Sequence, residues 1–269
     1  MFRIHARLAP LIPVLRRGRA LALKRKKVTA ALTAVLILAI FAVVSSPAVV
    51  GASATKRLLP IYSVQRDNKV VSLTFDAAWG NEDTQTLIDI LGKYDVKATF
   101  FVVGAWVDKY PESVKAISDA GHEVMNHSND HAHFAKLTSG EITSNIAACN
   151  NKVAAVTGKT PTLFRAPYGE YDDNVIATLG AMGMRVVQWD VDSLDWKEIP
   201  ATEIMRRVTG KVAPGSIVLF HNAALHTPEA LPAIIEYLLQ NNYAIVPVTE
   251  LLLQGDYTID HAGRQQPIK

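Results

Sequence analysis

Downstream of residue 66, short apolar runs alternate with segments whose apolar residues recur every three to four positions. The runs Lys69–Phe75, Ala98–Val103, Glu123–Asn126, Leu163–Ala166, Arg185–Trp189, Ser216–Phe220 and Ala244–Val248 predict strands. Most are continuously apolar, as parallel strands buried on both faces must be. Between them, Asp83–Tyr94, Pro111–Ala120, Ser139–Thr157, Asp173–Met182, Ala201–Val212 and Pro228–Asn241 predict helices. Terminal residues agree: Thr138 and Ser139 precede Glu141, Pro111 opens a helix, and Gly121, Gly158 and Gly183 follow helix ends. The alternation predicts an α/β fold, either a distorted (β/α) barrel of about seven parallel strands or an open doubly wound sheet. No glycine-rich phosphate loop follows the first strand, which weakens the nucleotide-binding form.

Charge changes the picture at the N-terminus. The chain of 269 residues carries 28 basic and 25 acidic residues, a net of +3. Nine of the basic residues and none of the acids lie in residues 1–54, so residues 55–269 hold 19 basic against 25 acidic and are mildly acidic. The pI near 8.9 is therefore no argument for nucleic-acid binding. The basic excess ends in Lys24-Arg25-Lys26-Lys27, and residues 28–50 carry no charge. This predicts a basic cytoplasmic segment (1–27) and a transmembrane signal anchor or signal peptide (28–50). A tether (51–66), a main domain (67–256) and a C-terminal tail (257–269) then lie outside the cytoplasm. Ala52-Ser53-Ala54 offers a cleavage site, after which the rest would be secreted rather than held at the membrane. The single cysteine, Cys149, excludes an intramolecular disulfide and a multi-cysteine zinc site.

The chemistry-bearing residues fall at the C-terminal ends of five strands, where parallel barrels place their sites. The first strand ends in Phe75-Asp76, and the third runs into His127-x-x-x-His131. The fourth leads to Arg165 and Pro167-Tyr168, the fifth to Asp190, Asp192 and Asp195-Trp196, and the sixth to His221. Two imidazoles four residues apart reach one metal ion if the segment turns. Asp76 opposite them suits a general base, and His221 an acid whose pKa a neighbouring Asp190 or Asp192 would raise. Trp79, Tyr168 and Trp196 are platforms for a sugar ring. Core packing, helix capping and plain surface loops are the structural alternatives for each of these residues.

Thr74-Phe75-Asp76, His127-Ser128-x-x-His131, Arg165-x-Pro167-Tyr168, Asp192-x-x-Asp195-Trp196 and Leu219-Phe220-His221 resemble, in order, the five motifs of the polysaccharide deacetylase (NodB-homology) family of carbohydrate esterases. Residues 75–81, with Leu59-Pro60-Ile61-Tyr62, resemble its sporulation-type branch. The resemblance implies hydrolysis of N-acetyl groups on cell-wall glycan, with peptidoglycan the expected substrate. It assigns Asp76 as base, His127 and His131 as ligands of a divalent metal such as zinc or cobalt, and Arg165 as the base's partner. Asp192 would tune the acid His221, and Pro167, Tyr168, Trp196 and Trp79 would form the groove. One position departs from the pattern. The family's second aspartate, the third metal ligand, is Ala77 here, leaving water, Glu82, Asp83 or Asp130 to complete the site, or no hydrolysis at all. A non-catalytic glycan-binding or spore-envelope protein on the same barrel, and a glycosidase using Asp76 and Asp192, are the rival expectations.

Overall fold

The structure, a computed structural model, describes residues 12–44 and 57–268. The chain divides into two units, residues 1–56 and 57–269. In the first, one helix runs from Ile12 to Val44 straight through the basic cluster. The expected membrane segment at 28–50 is not supported. Among the described residues no helix is long and apolar enough to cross a membrane. Residues 45–50, the expected end of that segment, and the cleavage site at 52–54 lie outside the described residues.

The second unit is an α/β fold around a curled half-barrel of parallel strands. In chain order the strands are β1 (Ser63–Val64), β2 (Val70–Ala77), β3 (Thr99–Val102), β4 (Glu123–Asn126), β5 (Leu163–Phe164), β6 (Arg185–Val186), β7 (Val191–Asp192), β8 (Ile217–His221), β9 (Ala244–Ile245), β10 (Tyr257–Ile259) and β11 (Arg264–Pro267). Seven form one parallel sheet in the order β6-β5-β4-β3-β2-β8-β7, with β9 on the start of β2. All eight residues of β2 are buried. Val71, Leu73, Phe75 and Ala77 pack with helix residues such as Leu87, Leu91, Ile204 and Ile234. Ser72, Thr74 and Asp76 alternate with them on the opposite face, because strand side chains alternate. Within the curl, Phe101, Met125, Leu163, Val187 and Ile217 form a second apolar layer.

Three expectations change. The run Arg185–Trp189 is not one strand. It ends as β6 on one edge, and the chain crosses to start β7 on the other. The curl does not close by strand pairing there; Ile61 of the expected tether donates to Val186 O at 2.9 Å and accepts from Gln188 N at 2.7 Å. Residues 57–66 and the expected tail are thus parts of the folded unit, since β1 and β10 flank β11 in a small sheet of their own. The last predicted strand stops at Ile245. Pro247, which has no N–H for a ladder bond, leads into the short helix Val248–Leu251.

His122, 4% exposed, accepts the Ala98 N–H at Nδ1 (3.2 Å). Burial, helped by Lys97, pushes its pKa down to about 4. The unfolded chain protonates first, near 6.5. The stability from His122 is therefore complete above pH 6.5 and lost as pH falls toward 4, about 3 kcal/mol in all. His122→Gln keeps an acceptor for Ala98 and removes the titration. In urea unfolding at pH 7 and pH 4.5, wild type is expected to lose about 2–3 kcal/mol more than the variant; equal losses would contradict the assignment.

Candidate active site

The strand ends meet at a cleft of about 480 Å³ whose lining includes Asp76, Trp79, His127, His131, Tyr168, Asp192, Trp196 and His221. Asp76 is 5% exposed and Arg165 is wholly buried. Arg165 reaches across the curl from the end of β5, donating to Asp76 Oδ1 at 2.7 Å and Thr74 Oγ1 at 2.9 Å from one nitrogen. Its other terminal nitrogen donates to Gln188 O at 3.2 Å, and its guanidinium lies 4.1 Å over the Phe101 ring. Burial alone would raise the Asp76 carboxyl. The Arg165 charge, joined by His127 and His221, outweighs it and holds Asp76 below the usual carboxylate range. Asp76 is thereby kept ionised, the form a general base needs.

His127 follows β4, with Nδ1 2.8 Å from Arg165 O. A carbonyl only accepts, so Nδ1 carries the hydrogen and Nε2, 3.6 Å from Asp76 Oδ2, is unprotonated in the neutral ring. The chain then turns through Ser128 (φ 73°) to His131 (φ 58°). Asn126 Oδ1 accepts from Ser128 N, and Ser128 Oγ accepts from His131 N. The two rings stand 5.1 Å apart at 75°. Burial pushes both imidazoles down, His131 to about 4 with the neighbouring His127 adding to it. Neutral imidazoles are the ligand form, and His131 Nδ1 is buried without a hydrogen-bond partner.

Among the described residues no third metal donor joins His127 and His131. Ala77 is fully buried in the apolar layer with Phe75 and Val102. The candidate replacements are engaged elsewhere: Glu82 accepts from Asn81 N, Asp83 from Ala223 N, and Asp130 from Asn145 Nδ2. No group of three His, Cys, Asp or Glu among the described residues is placed to hold a metal. A catalytic metal centre uses three protein ligands plus an open position, so the residues present do not make a complete one.

The acid side differs from expectation in one residue. His221 Nδ1 lies 2.8 Å from Asp195 Oδ1, not from Asp192 or Asp190. Asp195 is wholly buried and also accepts from His221 N (2.8 Å), Thr227 Oγ1 (2.7 Å) and Trp196 N (2.9 Å). Asp190 instead accepts from Ser216 Oγ and Ile217 N, below the site. Burial would lower the His221 pKa, but its hydrogen bond to Asp195 and that carboxylate's charge, with smaller effects of Asp76 and Asp192, outweigh it, and the pKa rises above the ordinary imidazole value. Nε2 is the nitrogen left for the cleft. Asp195→Asn is expected to lower the His221 pKa, because only the charges of Asp76 and Asp192 then oppose burial. NMR titration of the His221 ring checks this, and an unmoved midpoint would contradict it.

Trp79, Tyr168 and Trp196 remain 65%, 59% and 56% exposed around the cleft. Trp79 and Tyr168 flank His131 at 5.1 and 4.6 Å. Asn222 Nδ2 holds the Trp79 and Gly80 carbonyls at 2.7 and 2.8 Å, so the loop that carries this indole is fixed. Tyr168 (φ 59°) stacks on His133, whose Nδ1 pairs with Glu170 at 2.9 Å. Pro167 is buried and starts the turn that presents Tyr168 rather than lining the cleft.

The sequence pattern of the family described as polysaccharide deacetylase matches residues 63–187. A peptidoglycan-N-acetylglucosamine deacetylase of Bacillus cereus is 36% identical over 56% of this chain and 55% of its own. The chain spans 44–60% of the length of the first curated relatives it matches. Among solved structures, BA3943 of Bacillus anthracis, described as a CE4 family pseudoenzyme, is 38% identical with a TM-score of 0.70, covering 72% of this chain and 69% of that one. A BA3943 mutant described as having restored enzymatic activity is 39% identical with the same score, over 72% of this chain and 71% of that one.

Proposed function

The chain belongs to the polysaccharide deacetylase family, and from that premise we propose that it removes N-acetyl groups from cell-wall glycan, with peptidoglycan as the substrate. The observation that supports this most is one cleft holding an ionised Asp76, clamped by Arg165 at 2.7 Å, and a His221 poised to carry a proton, clamped by Asp195 at 2.8 Å. In this reading Asp76 takes a proton from the water that attacks the acetyl carbonyl. His221 gives a proton to the leaving amine. Trp79, Tyr168 and Trp196 offer apolar faces to the sugar rings. Peptidoglycan lies outside the membrane, and the cluster Lys24–Lys27 ahead of an uncharged run supports export. Sporulation is the setting that the resemblance of residues 75–81 suggests.

A second reading is favoured by Ala77 and by the description of BA3943: a glycan-binding protein that keeps the cleft without turnover. Acetate release from peptidoglycan and chitin oligomers, with and without added zinc or cobalt, separates the two. Release in either condition supports hydrolysis. Retained sugar binding with no acetate at any metal concentration supports the second reading and overturns the first.

A further inference from the structure

Asp192 lines the cleft without a hydrogen bond to His221, and its charge adds to the rise in the His221 pKa only after those of Asp195 and Asp76. It is half-buried at the end of β7. Its Oδ1 accepts the Leu194 N–H at 2.8 Å, which fixes the side chain, while Oδ2 has no partner among the described residues. Among the described residues no lysine or arginine lines the cleft. The charge of Arg165 is spent on Asp76, and that of His221 on Asp195. Lys197 lies over the Trp196 ring, 5.0 Å from its centre. Among the described residues the cleft thus offers the fixed Asp192 oxygen, the exposed faces of Trp79, Tyr168 and Trp196, and no free cation.

We infer that Asp192 is a specificity-determining residue: its free oxygen accepts a hydroxyl hydrogen from a neutral N-acetylhexosamine, and its charge excludes the lactyl carboxylate of N-acetylmuramic acid. Hydroxyl-to-carboxylate hydrogen bonds are the charge-assisted kind. A second carboxylate beside Asp192 meets a like charge in a partly desolvated site, which is discrimination by repulsion. The aromatic faces suit both sugars equally, and the charge of Asp76 is balanced by Arg165 at 2.7 Å, so the discrimination falls on Asp192. The inference rests on the reading of the cleft as a glycan site.

The full chain is titrated with chitotetraose, N-acetylglucosamine and N-acetylmuramic acid, with tryptophan fluorescence and ligand-observed NMR as readouts. Chitotetraose should change the fluorescence of wild type and much less that of Trp196→Ala. N-acetylglucosamine should bind wild type at least about tenfold more tightly than N-acetylmuramic acid, a ratio equivalent to one charged contact. Asp192→Asn keeps an acceptor and removes the charge, so the ratio should fall by about tenfold. Asp192→Ala should weaken N-acetylglucosamine itself. Equal binding of the two monosaccharides by wild type, or an unchanged ratio in Asp192→Asn while chitotetraose still binds, overturns the selection alone. Failure of chitotetraose to bind overturns the glycan reading, and this inference with it.

Discussion

Arg165→Met is expected to destabilise the protein by about 3–5 kcal/mol at pH 7, the cost of breaking a buried ion pair from one side. For a folded unit of this size that lowers the melting temperature by roughly 6–20 °C. Asp76, 5% exposed, would be left with its charge and without the guanidinium 2.7 Å away. Pairing with Arg165 places Asp76 below the usual carboxylate range in the folded protein. Its stabilising contribution is thus present above about pH 4, the unfolded value, and is lost as pH falls below that. In the variant the unpaired carboxyl titrates upward instead, so the deficit should shrink as pH falls from 7 toward 4. Arg165→Lys should recover only part of the loss, because one ammonium cannot span Thr74, Asp76 and Gln188 O as the planar fork does. Adding Asp76→Asn to Arg165→Met should restore stability in a double-mutant cycle. Melts within 2–3 °C of wild type (under about 1 kcal/mol) would contradict the account.

Ala77→Asp is expected to act in two opposite directions. Without metal, a carboxylate enters the apolar layer around Phe75 and Val102, which costs about 3 kcal/mol and lowers the melting temperature by roughly 6–12 °C. With zinc, the same carboxylate adds an anionic ligand to His127 and His131 and completes three protein donors. Zinc affinity should rise at least about tenfold, and saturating zinc should return much of the lost stability by mass action. Calorimetric zinc titration and melts with and without zinc check both halves. Unchanged zinc affinity in a folded variant would mean that a carboxylate at position 77, in the apolar layer, does not reach the two histidines or that they are not arranged as ligands.

The parts of the site legible in the sequence are those where a polar residue ends an apolar strand. Asp76, His127, Arg165 and His221 stand out for that reason, and a parallel sheet brings such ends to one side. The sequence does not single out Asp195 as the partner of His221, although it stands in the Asp192-x-x-Asp195-Trp196 motif. Strand alternation points to Asp190 and Asp192, but β7 is two residues long and the chain turns back through Leu194 at φ 56°. A left-handed leucine leaves no mark in a hydrophobic pattern. The strand β11 was unreadable for another reason. Its sequence, Arg-Gln-Gln-Pro, is polar, yet Gln265 is wholly buried because its side chain bonds both Leu253 N and Leu253 O. Lone backbone pairings such as that of Ile61 with Val186 and Gln188 are likewise set by tertiary geometry and not by periodicity.

The central claim is that Asp76 and His221 work as base and acid in one cleft. Acetate release from chitin oligomers by Asp76→Asn, compared with wild type under the same metal conditions, tests it most directly. Asparagine keeps the shape and an acceptor for Arg165 but cannot take a proton. The account predicts a folded variant whose rate falls by about 10²–10⁴-fold, matched by His221→Ala. Release by either variant within a few-fold of an active wild type would contradict it.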